Sequence, residues 1–270
     1  ILGIRSKTEV TAKVLEARPD LLAIGTFAIG TNQIDLEAAT NKGVAVYNAP
    51  YSNTRSDVEL AVGEIISLSR RLSVQDKALH QGIWEKSAIG SHEVRGRTLG
   101  IIGFGNIGMQ LSVVAEALGM RVVFYDTAEK LVIGNARRMN SLEELLEVAD
   151  VVSIHVDGRA ENKNFFGEKQ FAMMKPGAIF LNLSRGFVVD VDALAARLKS
   201  GQIAGAGVDV FPTEPRSNGD SFESVLTGLD NVILTPHVGG STEEAQRAIG
   251  LFVSEKLVSY FRKGDTDMSV

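Results

Sequence analysis

The stretch Leu99-Gly100-Ile101-Ile102-Gly103-Phe104-Gly105-Asn106-Ile107-Gly108 decides how this chain reads. Apolar residues suited to a buried strand run into three glycines spaced as GxGxxG, and a helical pattern continues to about residue 118. The next strand-like run, Val122-Val123-Phe124-Tyr125, ends on Asp126, 23 positions beyond Gly103. Glycine spacing alone is weak evidence in a chain with 27 glycines, but strand, loop, helix, strand and terminal acid in that order form a dinucleotide-binding unit. Gly103 permits the tight turn, Gly105 lets the backbone approach a pyrophosphate, and Gly108 allows close helix–strand contact, with free N–H groups at the helix start facing the anion. The Asp126 carboxylate suits an adenosine ribose and repels a 2′-phosphate. No arginine lies in Thr127-Ala128-Glu129 to offset it, so the expected cofactor is NAD rather than NADP.

Toward the N-terminus the rhythm repeats on a smaller scale. Residues 21–27 and 44–47 read as strands and the amphipathic stretch 35–41 as a helix, the pattern of a parallel sheet. Asn48-Ala49-Pro50-Tyr51-Ser52-Asn53 supplies turn chemistry and places a domain boundary near residue 51. One long helix is expected over residues 56–82, because Val58, Ala61, Val62, Ile65, Ile66, Leu68 and Leu72 recur at spacings of three and four. Trp84 follows, read equally as a core residue or an interface anchor. Past Asp126 the alternation runs through 142–148, 151–156, 178–183, 191–198, 206–210 and 232–234 to a last helix over 242–261. The class is α/β, in two domains.

Composition narrows the function. With 270 residues, 44% of them hydrophobic and 23% charged, the chain is long enough for a large core and a cleft. Its formal net charge of -5, with no basic run, offers nothing to a nucleic acid or an anionic membrane. The absence of cysteine removes disulfides, thiolate nucleophiles and thiolate metal sites, and no metal is expected. No apolar run approaches the roughly 18 residues of a membrane-spanning helix, and Ile1-Leu2-Gly3-Ile4-Arg5 lacks the layout of a signal peptide. The cytoplasm is therefore the expected compartment. Opening directly in a strand-like stretch without methionine, the sequence reads as a fragment.

Three further segments put polar residues at the carboxyl ends of apolar strands, where open α/β sheets bind ligands. They are Asn182-Leu183-Ser184-Arg185-Gly186, Asp209-Val210-Phe211-Pro212-Thr213-Glu214-Pro215 and Thr235-Pro236-His237-Val238-Gly239-Gly240. Taken singly, each has an ordinary structural reading: Arg185 as a surface charge, Glu214 as a solvated loop carboxylate, His237 as a structural histidine. Together they supply a guanidinium fork for a carboxylate, an imidazole that titrates near neutrality and an acid to pair with it.

These segments, with the glycine loop, resemble the NAD-dependent D-2-hydroxyacid dehydrogenases over essentially the whole chain. The stretches Ile29-Gly30-Thr31-Asn32-Gln33-Ile34-Asp35, residues 48–56 and residues 211–215 are similar to the bacterial branch of that family acting on 3-phosphoglycerate. The resemblance implies a doubly wound Rossmann domain, residues 51–237, inserted in a smaller flavodoxin-like α/β substrate domain formed by residues 1–50 and 238–270. It also implies a first strand pair before residue 1 and, often, a serine-binding domain after Val270, both outside this sequence. By the same resemblance Arg185 anchors the substrate carboxylate and His237 is the acid/base, oriented by Glu214. Cofactor contacts fall on Asn106, Ile107, Asp126, Leu183, Ser184, Asp209, His237, Gly239 and Gly240. Leu183 stands where the family often has alanine or glycine, which suggests a narrower nicotinamide pocket. Arg5 and Lys7 match a basic pair that would hold a substrate phosphate, with Asn53, Ile29 and Gly30 as further contacts. The partner implied is a small 2-hydroxy or 2-keto acid, and the assembly a homodimer or homotetramer. The alternatives are a glyoxylate or hydroxypyruvate reductase of the same family and a non-catalytic, NAD-sensing binding protein.

Overall fold

A computed structural model of the protein describes residues 1–5, 7–215 and 217–270. They form two compact units, Ile1–Ser56 with Gly240–Val270, and Asp57–Gly239. The boundaries expected after residues 50 and 237 thus lie after 56 and 239, which assigns the whole Asn48-to-Asn53 turn to the first unit.

In the first unit β1 (Leu2–Ile4), β2 (Ala23–Thr26) and β3 (Ala45–Tyr47) form a parallel sheet in that order, with the short helices α1 (Ala12–Ala17) and α2 (Leu36–Asn41) as crossovers. Asp35 caps α2 by accepting the Ala38 N–H at 3.0 Å. The last helix, α9 (Glu243–Lys263), buries Ala245, Ile249, Val253 and Leu257, one residue per turn, the last three in a cluster with Ala23 and Tyr47. Close packing there requires a bare β2: a Cβ on Gly25 would stand 2.6 Å from Leu257 Cδ1 and 2.8 Å from Val253 Cγ1.

The second unit is a seven-stranded, wholly parallel sheet. Its strands are β4 (Thr98–Ile102), β5 (Arg121–Tyr125), β6 (Arg137–Arg138), β7 (Val151–Ile154), β8 (Ala178–Asn182), β9 (Ile203–Val208) and β10 (Val232–Leu234). Their order is β10-β9-β8-β7-β4-β5-β6. Every residue of β4, β7 and β8 is buried, as expected of parallel strands covered on both faces. One face packs Leu145, Phe166, Phe171, Phe180 and Leu194, and the other Val58, Ile65, Phe104, Leu111 and Phe124. The order of strand succession reverses between β4 and β7, so the ligand crevice of such a sheet lies at their carboxyl ends.

The single helix expected over residues 56–82 is two helices, α3 (Thr54–Ser69) and α4 (Leu72–His80). The break is at Arg71, whose φ of 54° is left-handed, and its Nη1 donates to the Ile89 carbonyl at 3.1 Å. Leu72 is half exposed and α4 has no buried residue, so the periodic stretch packs only as far as Leu68. Trp84 is 80% exposed, which removes its reading as a core residue of this chain.

Candidate active site

The glycine loop follows β4 directly. Gly103 has φ +91°, and a Cβ there would stand 2.6 Å from the His155 carbonyl oxygen, so only glycine lets the loop pass the end of β7. A Cβ on Gly108 would overlap the Gly103 carbonyl oxygen, which fixes the contact between loop and helix α5 (Asn106–Ala117). Gly105 caps α5 without a side-chain hydrogen bond, and a Cβ on it would meet nothing within 4 Å. Open space therefore lies before the unsatisfied N–H groups of the first turn, Asn106 and Ile107 included, the arrangement a pyrophosphate needs.

Asp126, at the end of β5, is tied to the loop: its Oδ2 accepts the Phe104 N–H at 2.8 Å and its Oδ1 the Ala128 N–H at 2.8 Å. A carboxylate has about four acceptor positions, so capacity remains for ribose hydroxyls. Two cations missing from the sequence reading stand close by. Lys130 Nζ is 3.9 Å from Asp126 Oδ2, and Arg138 Nη2 donates to the Asp126 and Ala128 carbonyls at 3.2 and 3.4 Å. They weaken the discrimination against a 2′-phosphate expected of Asp126 alone. His155, at the end of β7, was also missed, though it obeys the strand-end rule used for the others. Its Nε2 shares a 2.8 Å hydrogen bond with Ser153 Oγ, and its Nδ1 is buried with no hydrogen-bond partner. Burial pushes its pKa down to about 4, so the ring is neutral. A bare glycine cradle, a free helix start and an acid at the end of the next strand fit a dinucleotide.

At the end of β8, Asn182 is 1% exposed and organises the turn after it. Its Oδ1 accepts the Ser184 N–H at 3.1 Å and hydroxyl at 2.9 Å, while its Nδ2 donates to the Arg185 carbonyl at 3.2 Å. This grip engages the Ser184 hydroxyl proton and fixes the peptide of Arg185, whose Nη1 donates to the Ser184 carbonyl at 2.7 Å. Leu183 is buried in the core with Phe104 and Ile65, which leaves its backbone for any cofactor contact. A Cβ on Gly186 would overlap the Phe211 backbone, so this glycine seats the Arg185 turn against the segment after β9.

That segment and the turn after β10 hold the imidazole. Asp209, 2% exposed, accepts from Thr235 Oγ1 at 2.5 Å and from the Val238 and Gly239 N–H groups at 2.8 Å each. Its carbonyl accepts the His237 N–H at 2.8 Å. His237 has φ +55°, a conformation non-glycine residues rarely adopt, maintained here by these bonds. Its Nδ1 donates to Glu214 Oε2 at 2.8 Å and Oε1 at 3.0 Å, so Nε2 is the nitrogen left for a ligand. The hydrogen bond that Nδ1 donates to Glu214 raises the pKa of His237 against the opposing effect of burial, with the charges of Glu214 and Asp209 adding to it and Arg185 subtracting. Burial alone would lift Glu214, but its bonds to His237 and to the Phe211 N–H, with the His237 and Arg185 charges, hold it below the usual carboxylate range.

In the first unit each expected substrate residue has contacts of its own. Arg5 Nη2 donates to Gln246 Oε1 at 2.8 Å, which brings in a residue of α9 that sequence separation concealed. Lys7 instead lines a cavity of about 420 Å³ with Glu9, Thr11, Asn32 and Asp35, of mixed charge. The Ile29 carbonyl is occupied by Asn48 Nδ2 at 2.5 Å, and Gly30 is half-buried beside it. Asn53 packs against Gly240, where a Cβ would overlap its Nδ2. Gly239 and Gly240, adjacent in sequence, thus belong to different units.

The profile of the D-isomer specific 2-hydroxyacid dehydrogenases, NAD binding domain, matches residues 62–239. The chain belongs to that family. D-3-phosphoglycerate dehydrogenase of Haemophilus influenzae is 54% identical over 269 residues, covering 100% of this chain and 66% of that protein. The protein of the same name from Escherichia coli K12 is 52% identical, covering 98% of this chain and 65% of its own length. This chain therefore spans about two-thirds of such relatives. Among solved structures, D-2-hydroxyisocaproate dehydrogenase superposes with a TM-score of 0.91 at 29% identity, covering 99% of this chain and 86% of that one. The D-lactate dehydrogenase of Lactobacillus jensenii, solved with NAD⁺, gives 0.88 at 26% identity, with 99% and 86% covered. As in its family, the nucleotide-binding unit here is the Rossmann sheet, and NAD is its cofactor.

Proposed function

We propose that the protein is an NAD-dependent oxidoreductase interconverting 3-phosphoglycerate and 3-phosphohydroxypyruvate, the first step of serine biosynthesis. The observation that carries this reading is His237 with Nδ1 engaged by Glu214 and Nε2 left for a ligand, on the same sheet edge as Arg185 and the glycine loop. The names of its relatives support the choice of substrate.

In the oxidative direction the Arg185 fork holds the C1 carboxylate and orients the C2 hydroxyl. His237 Nε2 takes the hydroxyl proton, and the Glu214 carboxylate stabilises the imidazolium that forms. The glycine loop, Gly103 to Gly108, would hold the NAD, which when bound supplies the hydride acceptor for C2 and, reduced, the donor for the reverse direction. Reduction draws on the protonated imidazole and oxidation on the neutral one. Because Glu214 raises the pKa of His237, reduction is favoured at neutral pH and oxidation increases with pH through the histidine's titration. An oxidation rate indifferent to pH between about 6 and 10 contradicts this assignment.

Compartment and assembly belong to the same proposal. No helix among the described residues is long and apolar enough to cross a membrane, and we place the enzyme in the cytoplasm as a homodimer or homotetramer. Support for self-association comes from Leu79, Ile83, Trp84 and Ile89, each more than half exposed.

The test follows NADH absorbance with 3-phosphohydroxypyruvate, glyoxylate and 2-oxoglutarate. The proposal requires the highest kcat/KM for the phosphorylated keto acid. A preference for glyoxylate assigns the chain to another member of the family, and NADH binding without turnover of any keto acid identifies a cofactor-sensing protein.

A further inference from the structure

The inward face of α3 is apolar at Val58, Ala61, Ile65 and Leu68, yet it also carries two acids, Asp57 at 6% exposure and Glu64 at 3%. Seven residues apart, they lie on the same side of the helix. Buried carboxyls are rare unless something engages them, and neither belongs to the mechanism above. Both face Asp209. The Glu64 carboxyl occupies the space left bare by Gly207 in β9, where a Cβ would overlap its Oε2. Asp57 reaches the turn that carries the imidazole: a Cβ on Gly239 would overlap Asp57 Oδ1 and stand 3.1 Å from Asp209 Oδ2. The two carboxyl groups thus meet across the Gly239 α-carbon, and Asp209 is the residue whose hydrogen bonds hold the His237 turn.

We propose that Asp57 is a positioning residue that governs the protonation of His237 from behind this turn: its carboxylate favours the imidazolium, and its neutral form releases the proton. This rests on the reading of His237 as the acid/base. The charged groups near enough to act on Asp57 are Asp209 after β9, His237 after β10 and Arg185 after β8, with Glu64 the next buried acid on its own helix. Burial first, then the charge of Asp209, push the Asp57 pKa up to about 7, while His237 and Arg185 pull it down. Asp57 therefore changes charge near neutrality, while Glu214 holds the pKa of His237 above its ordinary value. Such coupling is reciprocal, so ionised Asp57 strengthens the proton affinity of His237.

The experiment is a pH titration of the His237 imidazole by nitrogen–proton NMR in the wild type and in Asp57→Asn, with the resonance assigned by its loss in His237→Gln. The midpoint in Asp57→Asn should fall by about 0.5–1 pH unit, as removal of one nearby charge requires. The rise of hydroxy-acid oxidation with pH should move down by the same amount. Asp57→Val also removes the charge and must give the same shift, which guards against an asparagine that fails to pack. A midpoint unchanged within about 0.2 pH unit in both variants overturns the proposal, whether or not the protein turns over. A shifted midpoint in a protein that reduces no keto acid supports the coupling while refuting the acid/base reading.

Discussion

Between Gly103 and Asp126 the site is built of backbone and of side chains that are missing; between Asn182 and Gly239 it is built of side chains that hold one another. The first region presents bare N–H groups, and its geometry depends on where a Cβ cannot fit: at Gly103 against the His155 carbonyl and at Gly108 against Gly103. The second consists of interlocked polar contacts, Asn182 fixing the Arg185 peptide, Asp209 fixing the 235–239 turn and Glu214 fixing the His237 ring. A pyrophosphate is long, symmetric and always charged, so a dipole and a fitted surface suffice to hold it. A proton transfer depends on one atom in one protonation state, which only a network of partners can set.

If the regions divide the work in this way, damage to each should read out differently. The largest effect belongs to His237→Asn, which should lower kcat by about 10²–10⁴-fold. Its NADH dissociation constant should stay within a few-fold, as checked by single-turnover kinetics beside fluorescence titration. Comparable losses in both quantities would erase the distinction.

Next comes the acid behind the second region. Burial pushes Glu64 up to about 8, above its ordinary 4.5, with Asp209 adding to the shift. The unfolded chain releases this proton near 4.5 and the folded one near 8, so Glu64 lowers stability progressively as pH rises between those values. Replacing it by glutamine should make the variant gain on the wild type by roughly 2–4 kcal/mol between pH 5 and 8, measured by urea unfolding. An equal difference at both pH values would place the Glu64 proton elsewhere.

In the first region Gly108→Ala forces a Cβ into a backbone oxygen, which no rotamer relieves. Roughly 1–3 kcal/mol of stability should be lost, with NADH binding weakened in proportion and kcat at saturating cofactor nearly unchanged. A drop in kcat at saturation would show that the loop takes part in the chemistry.

The smallest effect is expected of Asp126→Asn. Lys130 and Arg138 already offset part of the carboxylate's charge, so the preference for NADH over NADPH should fall only about tenfold, around 1.4 kcal/mol. A loss of about a thousandfold would mean that Asp126 acts without its cationic neighbours.

The two regions also differed in how far they could be read from sequence. Everything from β4 to Asp126 lies in one local run, where each part is recognised by its neighbours. The strand ends at Asn182, Asp209 and Thr235 were legible by the same logic, and Glu214 and His237 are joined by a contact 23 residues apart. Contacts that close over longer distances were not legible: Arg5 with Gln246 spans 241 positions. Asp57 and Glu64 were hidden for another reason. A charged residue within a helical repeat is normally read as belonging to the solvated face, and only the three-dimensional path of β9 and the Gly239 turn shows that they point inward. The break at Arg71 escaped because the apolar spacing continues through it to Leu72, although Leu72 stays half exposed.

The most direct test of cooperation between the two regions is isotopic. NADH carrying deuterium at the transferable position of its nicotinamide is supplied with 3-phosphohydroxypyruvate, and the hydroxy acid formed is analysed by mass spectrometry. The account predicts one deuterium at C2 of the product in the wild type. Bound NADH that gives no labelled product would contradict it.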